Sequence, residues 1–234
     1  AWVGQSILAI DPGKETYHLC DTEKEIAFIA GIRGQAVMLT QGNQMAYPQG
    51  ALEKIIGKGI LGCNNQFSEP LFYGYQGIFR EDGSRWGDEV ANVFGLCFEG
   101  GTYIAYPFGR LVIKNPIGIV HEMKIPQNSE IGDLTAHQGA VYVSDWIEAQ
   151  SQAHDKFKIR RVTQGEAIVF DTRPDLVYDL ISHNGVLYDC GVYGLVRTLD
   201  THLPLAERTV FDEGIEGMWS LPRSVAEQIK EWQI

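Results

Sequence analysis

The stretch Asp133-Leu-Thr-Ala-His-Gln-Gly-Ala-Val-Tyr-Val-Ser-Asp145 returns 46 positions later as Asp179-Leu-Ile-Ser-His-Asn-Gly-Val-Leu-Tyr-Asp-Cys-Gly191. Aspartate, leucine, histidine, glycine and tyrosine coincide at five of thirteen places, and Val141 is matched by Leu187. Each copy sets apolar residues on both sides of a His-x-Gly centre. That is the pattern of two antiparallel strands joined by a tight turn.

Weaker copies extend in both directions. Val93 to Tyr106 keeps a glycine and a tyrosine three apart, Ile60 to Cys63 and Pro70 to Tyr75 form another degenerate pair, and Ala27 to Tyr47 offers two strands around Gly34. Ile7 to Cys20 fits with one residue inserted in its turn. A third short strand follows each pair, such as Arg110 to Lys114 or Leu195 to Leu199, and often a fourth, such as Val120 to Ile125 or Arg208 to Phe211.

Units of four strands recurring every 33 to 46 residues have the spacing of blades in a ring. In this respect the chain resembles the broad β-propeller superfamily over most of residues 6 to 212, without the Gly-His and Trp-Asp phrases of WD repeats or the paired glycines of kelch repeats. The resemblance implies a single all-β domain over residues 1–234. First strands near residues 27, 60, 93, 131 and 177 give five blades. Pairing of residues 6–20 with 215–222 would add a sixth, closed by both ends of the chain. Six blades is the preferred count and five the alternative. Val225, Ile229 and Trp232 predict one short helix near the C-terminus, placed as a cap on the barrel.

Composition supports many short strands and excludes several functions. The 26 glycines, ten tyrosines and five tryptophans suit strands joined by tight turns. Acidic residues outnumber basic ones 30 to 19, for a formal charge of −11, and no basic run exceeds Arg160–Arg161. Nucleic-acid binding relies on cations that displace counterions from phosphates, so a nucleic-acid partner is disfavoured, as is an anionic membrane surface. No apolar run reaches the roughly 20 residues of a spanning helix. Cys20, Cys63, Cys97 and Cys190 form no CxxC pair, are expected as thiols, and favour a reducing, cytoplasmic setting.

Candidate chemistry is sparse. Ile7-Leu-Ala-Ile-Asp-Pro-Gly13 resembles the first strand of RuvC-like junction resolvases. That resemblance would make Asp11 a magnesium ligand for phosphodiester hydrolysis, whereas the same residues also read as a turn between two strands. His137 and His183 recur at matching positions and are each expected to bond their own turn. Glu81, Asp82, Asp88 and Glu89 around Gly83 read as a hydrated turn, lacking EF-hand spacing. Asp145, Trp146, Glu148, His154 and Asp155 form an acidic and aromatic group in the connection after a second strand, where a propeller presents loops on one face. Asp145, Trp146, Glu148 and His154 are therefore the candidate binding residues. No phosphate loop, nucleophile elbow, dinucleotide fingerprint or zinc motif is present, and the sequence names no catalytic residue, metal ligand or cofactor.

These features predict a non-catalytic scaffold that binds a protein or other macromolecule through loops on one face, by itself or as part of a larger assembly. A hydrolase or lyase with its site in the central funnel is the alternative, and a metal-dependent nuclease built on Asp11 the third reading.

Overall fold

The computed structural model of the chain describes residues 1–3, 5–10, 16–88, 92–115, 118, 120–125, 129–147, 157–163 and 166–232. Their strands form six antiparallel sheets. The N-terminal sheet holds β1 (Trp2–Val3), β2 (Ser6–Ile10) and β3 (Thr16–Asp21). The next holds β4 (Ile26–Ile32), β5 (Gln35–Thr40) and β6 (Ala46–Tyr47), and the third β7 (Ile60–Asn64), β8 (Leu71–Gly74) and β9 (Gly77–Arg80). Three four-stranded sheets follow. They are β10 (Gly95–Phe98) to β13 (Val120–Lys124) through β11 (Thr102–Tyr106) and β12 (Arg110–Lys114); β14 (Ser129–His137) to β17 (Glu166–Arg173) through β15 (Ala140–Ile147) and β16 (Phe157–Thr163); and β18 (Val177–His183) to β21 (Thr209–Phe211) through β19 (Val186–Gly191) and β20 (Gly194–Arg197).

This is a β-propeller of five blades plus the N-terminal sheet. The first strands stand side by side around the axis, β4 by β7, β7 by β10, β10 by β14 and β14 by β18. The ends of the chain complete the circle: Trp2 bridges Gly217, with N–H···O bonds of 3.0 and 3.1 Å linking Trp2 to Gly217 and Glu216. The expected pairing of the two ends is therefore present, although its partner strand is β1, which the sequence reading placed in no repeat. Strands flanked by strands, with β2 antiparallel to β3, also remove the resolvase reading, because that fold needs a sheet flanked by helices. Asp11 itself lies outside the described residues.

Two blades have three strands where four were expected. In the second sheet, the chain after β6 meets Pro48, which has no N–H to donate to a ladder, and runs through turns and bends as far as Lys58. Leu52 and Ile55 in those turns are buried in the apolar cluster between the second and third sheets.

Each pair of neighbouring sheets encloses one apolar cluster. Phe28 and Phe72 meet between the second and third sheets with ring centroids 6.2 Å apart, and Leu96 and Ile104 pack against Leu71 and Ile78 between the third and fourth. Burying one such side chain stabilises the fold by about 1.5–3 kcal/mol, and no blade can do so without its neighbours. The helical stretch predicted at the C-terminus is α2 (Arg223–Ala226) after a short α1 (Leu205–Arg208), extended by a 3-10 turn over Glu227–Glu231. Val225 and Ile229 enter the cluster between the N-terminal and second sheets, so this segment caps the seam between those sheets.

Candidate functional site

The matching residues of the repeat bind one blade to the next. Asp133 Oδ2 accepts the Leu180 N–H at 2.9 Å, and Asp179 Oδ2 accepts the Met218 N–H at 2.8 Å. At the opposite ends of the same strands, His137 Nδ1 lies 2.8 Å from Ser182 Oγ and His183 Nδ1 lies 2.6 Å from Ser220 Oγ. Both histidines thus reach the following unit; the expectation that each bonds its own turn is corrected for His137, whereas His183 does both, with Asn184 Nδ2 of its own turn 2.9 Å from Nε2. The physical reason is that first strands converge on the axis, which brings polar side chains within reach of the neighbour's backbone and serine.

These strands surround a channel of about 700 Å³. Asp133, Asp179 and Glu216 contribute to its wall, with Tyr73, Tyr75 and Tyr178, and no lysine, arginine or histidine does so among the described residues. Burial, and then the charge of Asp179, hold the Asp133 carboxyl well above the usual carboxylate range, while burial pushes Asp179 up to about 6. The third sheet has Gly62 at the equivalent position. A Cβ there would lie 2.4 Å from the Tyr73 hydroxyl, so the phenol occupies the space that an aspartate takes in the later blades. Burial, followed by Asp133 and Asp179, raises the Tyr73 pKa well above its ordinary value and keeps the phenol protonated. Two carboxyls of raised proton affinity and a phenol therefore share the channel. No group of three or more His, Cys, Asp or Glu that could hold a metal exists among the described residues.

One face of the ring carries the connections from second to third strands, here termed the upper face. Four of these connections expose a large apolar side chain: Met45 at 37%, Tyr75 at 54%, Phe108 at 79% and Val192 at 49%. Tyr178, 37% exposed, begins β18 on the same face. Among the described residues, the connections that lead to each first strand and from β21 back to the ring closure carry Glu23, Glu25, Glu53, Glu81, Asp82, Asp88, Asp175, Asp212, Glu213 and Glu216 against Lys24, Lys54, Lys58 and Arg85. Apolar positions on this face are thus set around an acidic inner rim.

Of the residues singled out in sequence, Asp145 and Trp146 lie in β15 toward the same face. Asp145 lies near the end of β15 rather than in a loop, is 2% exposed, and is gripped by Arg160 through Nε–Oδ1 at 2.7 Å and Nη2–Oδ2 at 3.2 Å. Trp146 continues β15, paired with Phe157. Glu148, His154 and Asp155 lie outside the described residues. Sequence reasoning missed Met45, Tyr75, Phe108 and Val192, single apolar residues in turns, which carry no strand periodicity. It also missed the buried network in which Arg173 meets Asp189 and Asp171, Arg208 meets Asp171, and Tyr193 and Thr198 donate to Asp189 at 2.6 and 2.8 Å.

No family model and no curated relative matches the chain. Solved structures do. The chain is similar to virginiamycin B lyase from Staphylococcus aureus at 13% identity and a TM-score of 0.51, over 92% of this chain and 79% of that one. BBS1N, solved in complex with ARL6DN, matches at 12% identity and a TM-score of 0.47, over 83% and 71%. Apo AztD from Citrobacter koseri matches at 10% identity and a TM-score of 0.43, over 91% and 67%. At such identities a likeness carries the fold and no activity. The β-propeller architecture is shown, and no particular family within it.

Proposed function

We propose that the chain is a recognition scaffold whose upper face binds a protein. The observation that carries this reading is the set of exposed apolar side chains at Met45, Tyr75, Phe108 and Val192, one on each of four successive-type connections, where a turn ordinarily presents polar residues. Their spread over several blades suits a broad partner surface better than a small molecule. The acidic inner rim selects a partner that is basic at its centre and apolar at its margin. In this reading Trp146, Glu148 and His154 belong to the same contact surface, and the Asp145–Arg160 pair fixes the strand that delivers them. Nucleic acid is disfavoured as partner by the charge of −11.

The test is quantitative capture from the source cell with the wild-type chain, a Tyr75→Ser/Phe108→Ser/Val192→Ser variant, and Ile168→Ser on the outer strand β17 as control. A basic protein retained by wild type and control and lost from the triple variant is the expected result. Equal retention of every captured protein on all three would contradict the reading.

A second reading has its own observation, the convergence of Asp133, Asp179 and Tyr73 on the channel. Carboxyls held above their usual range are suited to proton transfer, so an enzyme acting within the funnel would use them. Turnover abolished by Asp133→Asn and untouched by the triple variant would favour that reading over the scaffold.

A further inference from the structure

The N-terminal sheet and the last blade do not close tightly on each other. A cavity of about 510 Å³ lies between them, within the size range of small-molecule sites. Leu8 and Ile10 of β2 form one wall, and Ile181, Tyr188 and Leu195 of the last blade the other. Leu8, Ile10 and Ile181 are only partly buried there, whereas Leu71, Ile78 and Ile104 in the seam between the third and fourth sheets are fully buried.

The cavity wall also carries polar groups, among them His183, Asn184, Ser220 and Arg223. Asn184 Nδ2 lies 2.9 Å from His183 Nε2, and His183 Nδ1 lies 2.6 Å from Ser220 Oγ. An amide N–H donating to Nε2 puts the imidazole proton on Nδ1, which donates to Ser220 Oγ. The Ser220 hydroxyl then has its own proton to offer. The Arg223 guanidinium, 69% exposed, is held over the Tyr17 ring at 5.6 Å and ion-paired with Glu227 Oε1 at 3.8 Å. That distance is too long for a hydrogen bond, so the guanidinium N–H donors are free of one to Glu227, which accepts from the Tyr17 hydroxyl at 2.9 Å and pairs with Lys230. A hydroxyl donor and a guanidinium, three residues apart in the wall of an otherwise largely apolar cleft, match a planar anionic head on an apolar body.

We propose that this seam binds a small carboxylate-headed amphiphile, its apolar body between β2 and the last blade and its carboxylate at Ser220 and Arg223. Because both walls belong to the sheets that close the ring, the bound ligand tightens that closure, and its binding raises the unfolding midpoint.

Decanoate, decanol and decylamine are the probes, titrated calorimetrically and by thermal unfolding into the full chain. The expected result is saturable binding of one decanoate per chain, about tenfold weaker binding of decanol, and weaker binding still of decylamine, as the loss of a charge-assisted hydrogen bond implies. Arg223→Gln is expected to reduce decanoate affinity about tenfold and leave decanol unchanged. Ile181→Trp and Ala9→Phe fill the cavity from opposite walls, and either variant that retains the wild-type circular dichroism is expected to bind neither probe. Absence of saturable decanoate binding, decylamine binding as tight as decanoate, or unchanged binding to a folded cavity-filling variant would overturn the proposal.

Discussion

Asp179 in the last blade and Met218 in the C-terminal segment are joined by a 2.8 Å hydrogen bond in which the Met218 N–H donates to the carboxylate. The same bond at 2.9 Å joins Asp133 to Leu180 one blade earlier, so the ring is closed by repeating its internal connection across the two ends of the chain. The bond comes with an electrostatic cost, because both carboxyls are buried beside one another in a channel whose described wall has no cation.

A pH dependence follows from that cost. The folded-state pKa of Asp179, pushed up to about 6, lies above its unfolded value, so the folded chain binds the proton more tightly. The corresponding stability is complete below the unfolded pKa and is lost as pH rises through about 6. Asp133 acts in the same direction. Asp179→Asn keeps an acceptor for Met218 and removes the charge. Its stability relative to wild type is expected to rise by about 2 kcal/mol between pH 4.5 and pH 7, measured by urea unfolding.

Ring closure is tested at Gly217. A Cβ there would lie 2.1 Å from the Trp2 ring, so Gly217→Ala is expected to cost about 1–3 kcal/mol by overpacking. In the Trp2→Ala background the obstructing ring is gone, and the same substitution should cost less than 1 kcal/mol, about what a glycine change alone costs. Equal costs in both backgrounds, read from denaturant midpoints, would mean that the two ends do not meet.

The Arg173–Asp189 pair joins the last strand of one blade to the second strand of the next, with neither side chain exposed. Asp189→Ala leaves the guanidinium short of a partner and takes an acceptor from Tyr193 and Thr198. The expected loss is about 3–5 kcal/mol, as for other broken buried pairs, with a matching fall in the guanidinium chloride midpoint.

Phe108→Ser should behave oppositely. The ring is 79% exposed on a turn, so its removal is expected to change stability by less than about 0.5 kcal/mol while it weakens partner binding. A large stability change would show that the ring serves packing instead of recognition.

Much of the fold was legible because strand pairs in a ring bury the same positions in every unit. Aspartate, histidine and tyrosine of the two clear copies fall in first and second strands as expected, and the first-strand starts near 27, 60, 131 and 177 all coincide with strands in the structure. The start near 93 falls just ahead of β10. The N-terminal sheet was harder, since β1 is two residues long and acquires its partner from more than 200 positions away. The absent fourth strand of the second sheet follows from Pro48 and the turn-rich segment behind it, where local backbone chemistry prevails over the repeat. The channel carboxyls were visible as a recurrence, but nothing in one sequence says that matched aspartates approach each other. That depends on the first strands lining one axis. The rim residues were overlooked because apolar side chains in turns carry no periodic signal and gain meaning only when the turns are seen on one face.

Radical footprinting of the complex with the captured protein tests the recognition surface most directly, since it reads side-chain accessibility residue by residue. The account predicts protection of Met45, Tyr75, Phe108 and Tyr178 on binding, with labelling of Phe98 on the opposite face and Ile168 on the outer strand unchanged. Protection of Phe98 or Ile168 while Tyr75 and Phe108 label as in the free chain would contradict it.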